Sequence, residues 1–166
     1  MRFVGWRRYS YPNAEEWFLS NDHEGRVASI AEMYRLGSTE PWTANLIGAL
    51  IAAKKPHLLL ETGTYLGLTT RRMYEAMLTY APEPGSSLAT IEFDKERSDA
   101  AYTWINTWGV PDGVIGVAVE VVNAPAEVYI RAGLQDDSID FAFLDDDHTP
   151  GHVYEELEAL MPKMRK

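Results

Sequence analysis

The stretch Leu58-Leu59-Leu60-Glu61-Thr62-Gly63-Thr64-Tyr65-Leu66-Gly67-Leu68-Thr69-Thr70 decides how the rest of the chain is read. Three leucines ending on a carboxylate form an apolar run of strand length, and the glycines behind them turn the backbone before a helical pattern opens at Leu66. A buried strand followed at once by a helix is half of a βαβ unit. Gly63 and Gly67 lack a Cβ, so this turn is expected to let a ligand approach the backbone closely. Two glycines also make an ordinary tight turn, so the segment needs support from elsewhere.

Working outward, the same alternation repeats. Apolar runs at 57–61, 87–92, 114–122 and 139–144 read as strands with both faces covered, and each precedes a helical stretch. Residues 66–80 carry Met73, Met77 and Leu78 on one side, and residues 94–108 carry Ala101, Trp104, Ile105 and Trp108. Asp94 is expected to cap the second of these helices, and Asn123 a third over 124–134, with Pro125 in its first turn. A last helix starts at Thr149 and places Val153, Leu157, Leu160 and Met164 at helical spacing. Upstream, Pro41 suits a first turn, and Leu46, Ile47, Leu50 and Ile51 mark a core-facing helix that Pro56 stops. The pattern predicts an α/β, Rossmann-like, doubly wound and mostly parallel sheet, with four strands legible. Residues 1–40, aromatic and poorly periodic with Trp6, Tyr9, Tyr11, Trp17 and Phe18, read as an N-terminal appendage to a domain over 41–166.

The chain's 166 residues fit one such domain. Lys and Arg number 15 against 25 Asp and Glu, a net charge of −10 that would repel a phosphate backbone, so nucleic acid is not an expected partner. No apolar run nears the ~20 residues of a membrane span, and none at the start has the form of a secretory signal. The absence of cysteine excludes a disulfide framework and a zinc–thiolate site, and a cytoplasmic location is expected.

Ligands of doubly wound sheets bind outside the carboxyl ends of the strands. Glu92, at the end of Thr90-Ile91-Glu92-Phe93-Asp94, stands beside the glycine turn, where a carboxylate can accept both hydroxyls of a ribose. Asn123 follows the third strand and is placed to bond an adenine edge or to cap its helix. The fourth end, Phe143-Leu144-Asp145-Asp146-Asp147-His148, sets three carboxylates and an imidazole directly behind an apolar strand. Buried charge is costly without a partner. Asp145, with no spacer after Leu144, is expected to face the pocket, and Asp146 and Asp147 to be solvated.

Taken together, Leu60-Glu61-Thr62-Gly63-Thr64-Tyr65-Leu66-Gly67-Leu68-Thr69-Thr70, Thr90-Ile91-Glu92 and Asp140-Phe141-Ala142-Phe143-Leu144-Asp145-Asp146-Asp147-His148 resemble the class I S-adenosylmethionine-dependent O-methyltransferases. The nearest likeness is to the small-molecule group of catechol and caffeoyl-coenzyme A enzymes, from about Thr43 onward. The resemblance implies methyl transfer to a hydroxyl of a small molecule. It implies cofactor contacts from Glu61, Gly63, Thr64 and Gly67 at the methionine portion, Glu92 at the ribose, and Asn123 and Ala124 near adenine. Asp145 would lie by the methionine or, as in metal-dependent members, bind a divalent cation such as Mg. Where catechol-type members carry a lysine base, this chain has His148, so His148 and Asp145 are the catalytic candidates.

Members of the family have seven strands. Here the chain reaches Met161-Pro162-Lys163-Met164-Arg165-Lys166 where a fifth would follow, so the methyltransferase domain is expected to be C-terminally incomplete. A central strand left as an edge is expected to be covered by a second copy, a completing chain or the N-terminal segment. A non-catalytic cofactor-binding module or assembly subunit is the reading from another class. An NAD-dependent oxidoreductase is weaker, because it needs G-x-G-x-x-G and the chain offers Gly63-x-x-x-Gly67.

Overall fold

The computed structural model describes residue 39 and residues 41–80, 84–106 and 116–166. Apart from Thr39, the expected appendage lies outside them, as do Trp108 and Val114. Among the described residues nine elements alternate: α1 (Pro41–Lys54), β1 (Leu58–Thr62), α2 (Leu68–Tyr80), β2 (Ser87–Ile91), α3 (Lys95–Ile105), β3 (Ala118–Val122), α4 (Ala126–Gly133), β4 (Phe141–Leu144) and α5 (Pro150–Leu160). The four strands pair in parallel in the order β3-β2-β1-β4. No described helix is long and apolar enough to cross a membrane.

Because side chains alternate along a strand, β1 feeds two cores. Leu59 packs with Ile47 and Ile51 of α1 and Met73 and Met77 of α2, while Leu60 packs with Ile130 of α4 and Ala159 and Leu160 of α5. Glu61 therefore shares the α1/α2 face, and Thr62 the α4/α5 face.

Several expectations need correction. In α1 only Ile47 and Ile51 are buried, together with Ala44, Gly48 and Ala52; Leu46 and Leu50 are exposed, because the inward stripe runs through 44, 47, 48 and 51. In α5 Leu160 is buried and Val153 half-buried as their spacing suggests, but Leu157 is exposed and the buried set is Glu156, Ala159 and Leu160, so the inward stripe is rotated from the apolar one. Met164 lies beyond that helix and pairs with Ile139 in a parallel bridge, with the Ile139 N–H donating to Lys163 O (2.9 Å) and the Arg165 N–H to Ile139 O (2.8 Å). β3 is not covered on both faces: it is an edge of the described sheet, with Ala118 and Glu120 exposed. Asp94 does cap α3, accepting the Arg97 N–H at 2.9 Å. Asn123 does not cap α4, whose N-cap is Pro125.

Candidate functional site

Parallel pairing brings the carboxyl ends of β1, β2 and β4 level, and with them Glu61, Glu92 and Asp145. Between them runs the turn of residues 63–67. Gly63 (φ 80°) and Gly67 (φ 82°) lie in the left-handed region that favours glycine. Their missing Cβ atoms make room for protein. A Cβ on Gly63 would fall onto the Asp145 carbonyl and within 2.9 Å of Asp146 N; one on Gly67 would come within 3.1 Å of the Trp104 ring. The close approach expected for a ligand is made instead by the β4 end and by α3.

The turn is tied to β2. The Gly63 and Thr64 N–H groups both donate to Ile91 O (2.9 and 3.1 Å), and the Tyr65 N–H donates to Glu92 Oε2 at 2.8 Å. Tyr65, a non-glycine at φ 49°, carries local strain that this bond offsets. The second Glu92 oxygen accepts the Asp94 N–H at 2.9 Å. Two backbone donors therefore orient Glu92, and a carboxylate's four acceptor positions leave one free on each oxygen. Asn123 reinforces the same corner: its Nδ2 donates to the Glu92 and Phe93 carbonyls, both at 2.9 Å. Its NH2 is spent there, and only Oδ1 remains for a ligand. Ala124 follows, half-buried, ahead of α4.

Glu61 is completely buried. Its Oε2 accepts from the Thr70 hydroxyl (2.5 Å) and the Thr90 hydroxyl (2.6 Å), so Thr64, 2.5 Å from Thr90, is the donor of that pair. Oε1 is buried without a hydrogen-bond partner among the described residues. Burial pushes the carboxyl up to about 8; the two threonine hydroxyls oppose this, and the Asp145 and Glu92 carboxylates add to it. An orphaned acceptor among like charges is a cradle for a cation or a proton.

Asp145 is held by its N–H to Thr62 O (3.1 Å) and by the Thr39 hydroxyl, which donates to Oδ2 at 2.8 Å. Oδ1 lies 3.2 Å from His148 Nε2, and the imidazole is three-quarters exposed. Asp147 is exposed, accepting the Thr149 N–H, as expected for a solvated loop residue. Asp146 departs from that expectation, sitting half-buried 3.5 Å from His152 Nε2. The sequence reading missed Tyr65, Thr39, His152 and Glu156. Thr39 stands 106 positions from its partner, so no local spacing could reveal it.

Parallel strands in the order β3-β2-β1-β4 with helices on both faces form a Rossmann-like α/β fold, with carboxylates gathered around a left-handed turn at the strand ends. Residues 60–166 match the family described as "Methyltransferase domain", and the chain belongs to that family. No curated protein sequence matches it. Among solved structures, it is similar to the Podospora anserina methyltransferase PaMTH1 bound to SAH (17% identity, TM-score 0.62, 89% of this chain and 53% of that one). It is also similar to an O-methyltransferase from Bacillus cereus in complex with SAH (20%, TM-score 0.54, 74% and 53%). A third is TomG from Streptomyces achromogenes, an O-methyltransferase of tomaymycin synthesis in complex with SAM (20%, TM-score 0.53, 74% and 52%). The chain thus spans about half the length of these three proteins.

Proposed function

We propose that the protein binds S-adenosylmethionine at the 63–67 turn and takes part in methyl transfer to a hydroxyl, phenolic or sugar-like, of a small molecule. The observation that carries this reading is the convergence of Glu61, Glu92 and Asp145 on that turn, with Glu61 Oε1 buried and unpartnered. The cofactor is a cation at its sulfonium and ammonium groups, and it carries a ribose diol. A buried carboxylate held by two backbone N–H groups, with acceptor capacity left on each oxygen, suits the diol; an acidic, desolvated cradle suits the positive charge. A nicotinamide dinucleotide would bring a pyrophosphate into the same acidic corner, where the Gly63, Thr64 and Tyr65 N–H groups are already spent. The sequence likeness to O-methyltransferases and the family membership support the same choice.

In this reading the bound cofactor supplies a methyl group already activated by its sulfonium. Glu92 would hold the ribose, and Glu61, Gly63, Thr64, Gly67 and Asp145 would shape the methionine end. Asn123 would brace Glu92 through its carbonyl while Ala124 lies toward the adenine. Asp145, itself fixed by Thr39 and Thr62, would accept the His148 Nε2–H and leave Nδ1 to take the acceptor's hydroxyl proton. The cofactor would supply the methyl carbon that the acceptor oxygen takes, its sulfur leaving as the neutral thioether, and His148 would hold the proton that the hydroxyl gives up. Asp145 is the residue that would hold a divalent cation such as Mg; among the described residues it belongs to no group of three converging ligand atoms, and the scheme does not draw on a cation there.

The outer side of β4 pairs only at Ile139 among the described residues, and Phe141 and Phe143 are half-buried, which supports an assembly in which a second copy or a completing chain covers that side. The cysteine-free sequence supports a cytoplasmic location.

Calorimetry with S-adenosylhomocysteine tests the core of the reading. Each charge-assisted bond from Glu92 is worth roughly 1.5 to 3 kcal/mol, so Glu92→Ala should weaken binding at least about tenfold. Unchanged affinity in that variant would refute the assignment.

A further inference from the structure

A second cluster of ionisable groups lies on the opposite face of β1 from Glu61. Asp146 comes from the loop after β4, and His152 and Glu156 stand one turn apart on α5. His152 Nε2 is 3.5 Å from Asp146 Oδ2 and 3.7 Å from Glu156 Oε1, and the three atoms all lie within 4.8 Å of one another. These separations are too long for hydrogen bonds. They are close to the roughly 3.4 Å that separates ligand atoms around a tetrahedral zinc with bonds of about 2.0–2.2 Å.

Glu156 is 1% exposed, its Oε1 has no hydrogen-bond partner among the described residues, and neither does His152 Nε2. A helix that turns a glutamate inward, beside Thr62 and the alanine–leucine pair Ala159 and Leu160, meets a desolvation cost that a lone half-exposed histidine does not repay. Glu127 of α4 adds a further carboxylate, whose Oε2 is likewise buried and unpartnered. Among the described residues the ion-pair partner of Asp146 and of Glu156 is His152 alone. The cluster has an excess of negative charge, and its three ligand atoms converge on one another.

We infer that Asp146, His152 and Glu156 form a binding site for a divalent transition-metal cation of the zinc type. One imidazole and two carboxylates select borderline cations such as Zn2+ over Mg2+ and Ca2+, which prefer all-oxygen shells. Asp146 and His152 are about a quarter exposed, so an ion can enter from solvent and keep a water as its fourth ligand. The ion would clamp α5 to the end of β4, and so fix the loop that presents Asp145 and His148. Its binding is independent of the methyl-transfer reading.

The test uses the full chain, stripped with chelator and exchanged into chelator-free buffer. Calorimetry with Zn2+ should show one equivalent bound per chain, and Co2+ should give the visible d–d absorption of a nitrogen–oxygen site. His152→Ala should lower Zn2+ affinity by more than about 100-fold, beyond the 10- to 100-fold typical of outer-shell partners, and the near-isosteric Glu156→Gln should follow it. Asp147→Asn, an adjacent carboxylate outside the cluster, should bind as the wild type does. Circular dichroism checks each fold; if Glu156→Gln does not fold, His152→Ala and the wild-type Co2+ spectrum decide. Absence of Zn2+ uptake by the wild type, unchanged uptake by His152→Ala, or an equal loss in Asp147→Asn overturns the site.

Discussion

Glu61 concentrates the electrostatics of the corner where the ends of β1, β2 and β4 meet, and its behaviour with pH follows from its burial. With an ordinary value of 4.5 raised to about 8, the folded protein keeps a proton that the unfolded chain releases between those limits. Its contribution to stability is complete below 4.5 and is lost as pH rises through about 8, with a slope of up to about 1.4 kcal/mol per pH unit in between. Glu75 and Glu156 are also raised, chiefly by burial, so the wild type alone mixes three groups of the same sign. Glu61→Gln isolates the first: its urea midpoint should gain on that of the wild type steadily from pH 5 to pH 8. Parallel pH curves for the two proteins would show that Glu61 titrates normally. His148 is tested by rate: in a catalytically competent preparation, His148→Ala should reduce methyl transfer by about 10²- to 10⁴-fold, the usual share of a positioned base, while S-adenosylhomocysteine affinity is retained. A full rate in that variant removes the base role.

At the scale of elements, the two glycines after β1 have different neighbours and should respond differently to a methyl group. Both would place alanine at a positive φ, a strain of about 1–2 kcal/mol. At Gly63 the added carbon also meets the Asp145 and Asp146 backbone, which cannot yield without moving the end of β4. At Gly67 it meets only the edge of the Trp104 side chain. Urea unfolding should therefore show Gly63→Ala as the more destabilising change, by at least about 1 kcal/mol over Gly67→Ala. Equal costs, or the reverse order, would mean that the packing of β4 against the turn is not what requires Gly63. The glycines were legible from their position after an apolar run, yet the atoms that demand them were not, because residues 63 and 145 meet only when β1 and β4 pair.

For the whole molecule, the outer side of β4 governs association. Met164 already pairs beside Ile139, and the strand beyond it, Phe141–Leu144, is half-buried with neither a lysine nor a proline to discourage pairing. Sedimentation and light scattering should show association with a mid-micromolar or tighter dimer constant, the strength expected of an interface above about 1,000 Å². A monodisperse monomer across that range would mean that this side is covered within one chain. Trp6, Tyr9, Tyr11, Trp17 and Phe18, the expected cover from within, lie outside the described residues.

The alternation of apolar runs with helical stretches, the carboxylates at the ends of β1, β2 and β4, and the Asp94 cap were determined by the sequence itself, because they rest on periodicity and on contacts within three or four residues. The same locality explains what was misread. Leu46, Leu50 and Leu157 satisfy a helical spacing, but which stripe turns inward depends on the sheet a helix lies upon, and here the stripes through Ile47 and Glu156 won. Likewise Asn123 is well placed to cap a helix, yet its amide reaches across to β2. Only the tertiary structure could bring Thr39 to Asp145, Glu92 to the Tyr65 amide, and Asp146 to His152 and Glu156. Glu92 meets the Tyr65 amide because parallel pairing puts the carboxyl ends of β1 and β2 on one side of the sheet, Thr39 reaches Asp145 across 106 positions, and the Asp146 cluster depends on how α5 folds back on the end of β4.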